Sequence, residues 1–300
     1  MIYENFLMLK ARVQHFVKRK RVAVVAAEEE HTLEAVCHAR RENIVEPVLI
    51  GDSQKIARYL EQFGESVAQE AIVHIADPLE AAAYAVTLIH DQQADFLMKG
   101  KIQTADLLRA VVDRQKGLRA GRLMSHLAFL ELLSYHKLLA VTDGGVVLYP
   151  HLDEKRYILE NAVHFMRNMG YECPNVAVLA AVETVNPKMQ ETVDALRLKH
   201  LNQDGELKHC LVEGPISYDL AMNKESARIK GFESPVTGEV DIMLVPNITV
   251  GNLMAKALVF SGGAKMAGVI VGAKVPIVLT SRGSSVEEKF YSLTLAASAV

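Results

Sequence analysis

A serine, an arginine and two glutamates stand close together near the end of the sequence, in the run Ser281-Arg282-Gly283-Ser284-Ser285-Val286-Glu287-Glu288. They follow an apolar, β-branched stretch from Val275 to Leu279 that reads as a buried strand, and Ser281-Arg282-Gly283 interrupts it where such a strand leaves its sheet. Ser284 or Ser285 can cap the next helix, with Glu287 and Glu288 in its first turn. A hydroxyl, a guanidinium, free backbone N–H groups and two carboxylates thus meet where a strand ends and a helix begins. That inventory suits an anionic substrate and a proton to be moved. The plain alternative is a strand end with a turn glycine and a surface arginine, the glutamates merely complementing the helix dipole. The residues alone leave both readings open.

Other stretches carry weaker signals. Phe96-Leu97-Met98-Lys99-Gly100-Lys101 ends a strand on two lysines and a glycine, before a helix that Thr104 would cap and that carries Asp106 and Arg109. Lysines at the carboxyl edge of a parallel strand can serve a phosphate, so Lys99, Thr104 and Arg109 are candidates for binding phosphate groups. Ser125-His126 lies on a strand, Asp143-Gly144-Gly145 reads as a turn, and Gly251-Asn252 opens a helix where backbone could approach a ligand. None of the 11 histidines is spaced as a metal ligand. There is no GxSxG elbow, Walker loop, HExxH pair or GxGxxG between a strand and a helix, which sets aside serine hydrolases, P-loop NTPases, zinc proteases and ordinary dinucleotide-binding dehydrogenases.

The elements that must position these groups alternate regularly. Apolar residues Ile2, Phe6, Leu9, Val13, Phe16 and Val17 predict an amphipathic helix over 2–18. Strands at 22–27, 47–51, 71–75 and 96–101 alternate with helices, Asp77-Pro78 giving one of them an N-cap and a first-turn proline. This order predicts an α/β protein with parallel sheets. At 300 residues, half of them hydrophobic, the chain exceeds the usual size of a single core, so two α/β lobes with a cleft between them are expected. We place the first domain at 1–139 plus 275–300 and the second at 140–274, the last helix crossing back to the first. A formal charge of −3 gives no reason to expect nucleic acid as a partner. Cys37, Cys173 and Cys210 form no CxxC pair, which fits a reducing compartment and argues against a disulfide framework or a zinc site. With no run long enough for a membrane span and no leader-like segment, a cytoplasmic protein with no membrane partner is expected.

A family resemblance joins these signals. Thr142-Asp143-Gly144-Gly145, the run from Asn175 to Glu183, Val185-Asn186-Pro187-Lys188-Met189, Val212-Glu213-Gly214-Pro215, the run from Val245 to Asn252, and the run from Ile270 to Arg282 resemble, in order, blocks of the phosphate acetyltransferase and phosphate butyryltransferase family. The Ala-Ala-Val-Glu, Val-Asn-Pro-Lys-Met and Val-Gly-Ala-Lys-x-Pro-Ile-Val-Leu-Thr-Ser-Arg blocks are most like the butyryltransferase branch. The first 95 residues contribute little to the resemblance.

The resemblance implies the reaction acyl-CoA + phosphate ⇌ acyl phosphate + CoA by direct transfer in a ternary complex, with a butyryl or branched acyl group. It implies two α/β domains of isocitrate/isopropylmalate dehydrogenase-like architecture, a homo-oligomer, coenzyme A as substrate, and no metal or redox cofactor. Ser281 and Arg282 become catalytic candidates, and Glu288, seven residues after the serine where the acetyltransferases carry an aspartate, becomes the candidate base with Glu287 as its rival. Gly283, Lys99, Thr104, Arg109, His126 and Asn252 are the candidate substrate-binding residues. Asn247 replaces the aspartate more usual in the family. The alternatives are an acetyl-specific transferase, a catalytically silent CoA-binding protein, and a metal-dependent dehydrogenase of the same architecture, for which the expected aspartate pair is lacking.

Overall fold

The structure is a computed structural model and describes residues 2–281 and 283–300. In chain order the elements are α1 (Phe6–Gln14), β1 (Lys20–Val25), α2 (Glu30–Arg41), β2 (Val45–Gly51), α3 (Ser53–Gln62), β3 (Ile72–His74), α4 (Pro78–His90), β4 (Phe96–Lys99) and α5 (Thr104–Val112). There follow β5 (Ser125–Glu131), β6 (Leu139–Thr142), α6 (Leu152–Asn168), β7 (Asn175–Leu179), α7 (Gln190–Gln203), β8 (Leu211–Ile216), α8 (Tyr218–Met222), α9 (Lys224–Lys230), β9 (Ile242–Leu244) and α10 (Ile248–Phe260). The chain closes with β10 (Lys265–Val271), β11 (Ile277–Val278) and α11 (Val286–Ser298). It is a mixed α/β protein.

Two compact units emerge. One joins Phe6–Arg122 to Ala267–Val300; the other is built on Leu123–Met266 with the first few residues of the chain. They divide at 122/123 and 266/267, where the sequence reading put the breaks at 139/140 and 274/275. Antiparallel pairing of β5 with β6, Ala128 opposite Val141, keeps residues 125–131 with the second unit.

In the unit of Phe6–Arg122 and Ala267–Val300, β3, β2, β1, β4 and β11 run parallel in that order. Two-residue β11 pairs on one side with β4, Ile277 opposite Leu97, and on the other antiparallel with β10. Val22, Val24, Leu49, Phe96, Met98 and Ile277 are fully buried, as parallel strands covered on both faces require. Ser285 caps α11, its hydroxyl accepting the Glu288 N–H at 3.1 Å. From there every residue of Lys289–Ser298 is buried, packed on α1 and α2 through Tyr291 stacked on Phe6 at 4.6 Å and Phe290 stacked on His38 at 4.3 Å.

In the unit built on Leu123–Met266 the order is β5-β6-β9-β7-β8, with β5–β6 antiparallel and the rest parallel. Leu139, Ala177, Ile216 and Met243 lie at its core. Two ion pairs are buried in it: Lys137 with Asp241 at 2.7 Å, and Lys155 with Asp194 at 2.6 Å. The β-ends differ from expectation in instructive ways. Asn186-Pro187 does not open α7; the Asn186 side chain accepts the Lys188 N–H at 3.0 Å in a turn, and the helix begins at Gln190. Asn247 caps α10 instead, accepting the Val250 N–H at 3.1 Å.

Candidate functional site

The Ser281 segment lies where β11 ends. Since β11 runs parallel to β4 and β4 to β1, all three release their chains at the same edge of the sheet, the edge where ligands of parallel sheets gather. At the end of β4, Gly100 and Lys101 donate their N–H groups to the carbonyls of Val25 and Ala26 at 2.8 and 2.7 Å. A Cβ on Gly100 would lie 2.3 Å from the Ala26 oxygen, so only glycine permits this approach.

Past β11 the chain makes a turn in which the Ser284 N–H donates to the Ser281 carbonyl at 3.1 Å. Ser281 and Gly283 are exposed, Ser284 is buried, and Arg282 lies outside the described residues. The buried Ser284 hydroxyl donates to Glu288 Oε1 at 2.7 Å, a charge-assisted bond across one turn. Burial raises the Glu288 carboxyl above its ordinary range, against the opposing effects of the Ser284 hydroxyl and the Lys289 charge. Glu287 is exposed on the same turn. Glu288 thus has a side chain held by a neighbouring hydroxyl and a carboxyl raised by burial.

The other expected residues divide into two groups. Lys99 ends β4 at the same edge as Ser281 and donates to the Gly100 carbonyl at 3.2 Å. Thr104 is not the cap of α5: Gln103 occupies that position, its side chain making no capping bond to the helix, and Thr104 is the exposed first helical residue. Arg109 faces solvent and pairs with Asp106 at 2.8 Å, one turn earlier on the helix surface.

His126 and Asn252 belong to the other unit, on either side of the Asp143 loop. Asp143 is buried and accepts four backbone N–H groups: Gly145 and Val146 on Oδ1 at 2.7 and 2.8 Å, His126 and Val147 on Oδ2 at 2.9 and 3.2 Å. Asn252 donates to the Gly144 carbonyl at 3.2 Å, and a Cβ on Gly144 would come within 3.0 Å of the Gly251 carbonyl carbon. The His126 ring packs on Gly145, and its Nδ1 is buried without a hydrogen-bond partner among the described residues. Burial pushes its pKa below the ordinary histidine value while Asp143 opposes the shift. The same unit holds an apolar cavity of about 420 Å³ lined by Leu179, Ala181, Tyr218, Met254 and Leu258.

Sequence reasoning did not single out the Ser284–Glu288 bond, the burial of Lys289 or that of Asp143. The serine four residues before Glu288 was a usable signal, since residues i and i+4 share a helix face. Lys289 gave none, because a lysine in the first turns of a helix ordinarily points to water. Among the described residues no cluster of three or more His, Cys, Asp or Glu could hold a metal ion, and no helix is long and apolar enough to cross a membrane.

Residues 56–297 match the family described as phosphate acetyl/butaryl transferase. The chain belongs to that family. It is 42% identical over 280 residues to a phosphate acetyltransferase of Thermotoga maritima, covering 93% of this chain and 95% of that one. It is 41% identical over 293 residues to the phosphate butyryltransferase of Clostridium acetobutylicum, covering 98% and 96%. A crystal structure of a branched-chain phosphotransacylase from Enterococcus faecalis superposes with a TM-score of 0.81 at 33% identity, covering 93% of this chain and 98% of that one. The chain is thus an acyltransferase by family, and the expected membership is borne out.

Proposed function

We propose that the protein transfers a butyryl or branched short acyl group between coenzyme A and inorganic phosphate, directly in a ternary complex, with Ser281, Arg282 and Glu288 as its catalytic residues. The observation that carries this reading is the Glu288 carboxyl, half-buried and held by Ser284 one turn beyond the Ser281 turn, in a chain of an acyltransferase family.

In the direction that consumes acyl phosphate, Glu288 takes the proton of the CoA thiol, whose unperturbed pKa of about 8.5 leaves it mostly protonated at neutral pH. The sulfur attacks the acyl carbon, a C–S bond forms, the C–O bond to phosphate breaks, and phosphate leaves with the electron pair. Arg282 and nearby N–H donors stabilise the tetrahedral oxyanion and the departing phosphate. Ser281 donates a hydrogen bond to phosphate or thiol. In reverse, the protonated carboxyl returns its proton to the leaving thiolate, and a raised carboxyl pKa favours that step. Gly283 and Lys99 join this site on the phosphate side, and His126 and Asn252 are candidate substrate-binding residues. Thr104 and Arg109 are weaker members, because Arg109 is already paired with Asp106.

Coenzyme A enters as substrate, and no metal or redox cofactor has a role in these steps. With this reading go an isocitrate/isopropylmalate dehydrogenase-like architecture, a cytoplasmic location and a homo-oligomer. Support for the oligomer comes from α10, an apolar helix on which Leu253 is 63% and Phe260 84% exposed. The test is to mix butyryl-, isobutyryl- and acetyl-CoA separately with phosphate and follow thiol release. Turnover with the four-carbon substrates in excess of acetyl-CoA is expected. Identity to the Thermotoga maritima acetyltransferase makes an acetyl preference the second reading, and the same series separates the two. No thiol release from any of them sinks both.

A further inference from the structure

Lys289 is the fourth residue of α11, and it is only 4% exposed. A lysine is almost never fully buried unless something inside the protein uses its charge. Its Nζ donates to Thr280 Oγ1 at 3.2 Å, and Thr280 immediately precedes Ser281. Its charge also reaches two carboxylates on separate elements. One is its neighbour Glu288. The other is Glu29, the N-cap of α2, whose carboxylate accepts from the Thr32 N–H at 2.9 Å and from the Thr32 hydroxyl. Burial works to raise the Glu29 carboxyl, yet it lies below its ordinary range because first the Thr32 hydroxyl and then Lys289 favour the ionised form. One amino group therefore bonds the end of β11 to the helix that carries Glu288, and its charge favours the ionised carboxylate at the start of α2.

We propose that Lys289 is a positioning residue for acyl transfer: its amino group fastens the strand end before Ser281 to the helix bearing Glu288, and supplies the positive charge beside that carboxylate. The proposal rests on the reading of Ser281 and Glu288 given above. The groups around the pair come from several elements. The turn before α2 supplies Glu29, and α2 supplies His38, stacked on Phe290. Helix α1 presents the uncharged Phe6 to Tyr291, and the end of β11 presents the uncharged Thr280. On β4, Lys99 turns its Nζ to the Gly100 carbonyl; the Glu28 carboxylate accepts the Asp52 N–H at 3.3 Å; Glu287 on α11 itself is exposed. The charged neighbour that acts on Glu288 among the described residues is Lys289.

The experiment compares pH profiles of kcat/KM for butyryl phosphate plus CoA, followed as thiol consumption, in the wild type, Lys289→Met, Lys289→Arg, Thr280→Val and Glu288→Gln. An opposite charge close to a carboxylate moves its titration by one unit or more, so Lys289→Met is expected to lose roughly 10-fold more activity at pH 6 than at pH 9. The acid limb should move to higher pH, and Lys289→Arg should restore it. Thr280→Val keeps the charge and removes the anchor, so kcat should fall several-fold with the acid limb in place. A uniform loss across pH in Lys289→Met overturns the electrostatic role, and an unchanged kcat in Thr280→Val overturns the anchoring. Should Lys289→Met fail to fold by circular dichroism, the Arg and Val variants still decide: a displaced limb in Lys289→Arg, or an undiminished kcat in Thr280→Val, overturns the proposal. Glu288→Gln separates the two levels of inference. If it keeps the acid limb, the base reading itself fails; if it loses the limb while Lys289→Met does not shift it, only the role of Lys289 fails.

Discussion

Replacing Glu288 by glutamine tests the chemistry and the energetics of the site together. Glutamine keeps an oxygen to accept the Ser284 hydroxyl at the 2.7 Å contact and removes the ionisation. A general base of this kind contributes about 10²- to 10⁴-fold, which corresponds to roughly 3–5 kcal/mol of barrier. The kcat for butyryl phosphate plus CoA should fall by that factor, with the KM for either substrate changed far less. Stability should move the opposite way. Because burial raises the Glu288 carboxyl in the folded protein, the native state binds more protons than the unfolded chain once pH exceeds the unfolded carboxylate value of about 4.3. Stability therefore falls as pH rises through that window, and at neutral pH the wild type carries the cost of holding an ionised carboxylate there. Glu288→Gln should melt higher than the wild type at pH 7–8, with the difference vanishing near pH 4. The assay is thiol consumption for activity and calorimetric melting at several pH values for stability. A variant within 3-fold of wild-type kcat, or one less stable than wild type at pH 8 and equal to it at pH 4, would refute the reasoning.

Three further outcomes are expected. Gly100→Ala sets a Cβ 2.3 Å from the Ala26 oxygen, backbone against backbone, and should cost about 3 kcal/mol or more by urea unfolding as well as slowing turnover; a loss below about 0.5 kcal/mol would mean the close approach is not real. His126→Phe removes a buried ring whose pKa is depressed by burial. Between its folded value and the unfolded value near 6.5 the unfolded chain holds the extra proton, so wild-type stability falls as pH drops below about 6.5, and the variant's melting temperature should vary less between pH 7 and pH 5. Lys137→Met leaves Asp241 buried without the ammonium 2.7 Å away and should cost about 3–5 kcal/mol, read from the shift of the urea midpoint.

The alternation of strands and helices was legible because it rests on local patterns, such as Asp77 accepting the Leu79 and Glu80 N–H groups at the head of α4 and Asp52 doing the same for Gln54 and Lys55. Failures came where a distant partner outbid a local pattern. The helix expected over 2–18 occupies only Phe6–Gln14, because Tyr3 bonds instead to Leu138 through its carbonyl and to Met169 through its hydroxyl, both at 2.8 Å. At its other end Val17, counted as packing, is fully exposed. The strand expected over Val275–Leu279 narrows to Ile277–Val278: Pro276 has no N–H to give, and Lys274 spends its own on the Leu118 carbonyl. At the site, Glu288 was legible as a candidate only through the family resemblance, seven residues after Ser281 and with Glu287 as its rival. Its orientation was not, since burial of Ser284 and Lys289 depends on α11 folding against α1 and α2, which sequence periodicity does not encode.

The place of β4 between β1 and β11 has a consequence for synthesis. As the chain leaves the ribosome, Phe96-Leu97-Met98 can pair with β1 at once, but its other edge has no partner until residues 277–278 emerge. At roughly 5–20 residues per second that is a wait of about 10–35 s, during which an apolar strand edge stands open to other nascent chains. The same late segment brings Ser281, Glu288 and Lys289. Closing that vulnerable edge and delivering the segment proposed to carry the chemistry are therefore one event, so an unfinished polypeptide lacks those groups and is the form most exposed to aggregation.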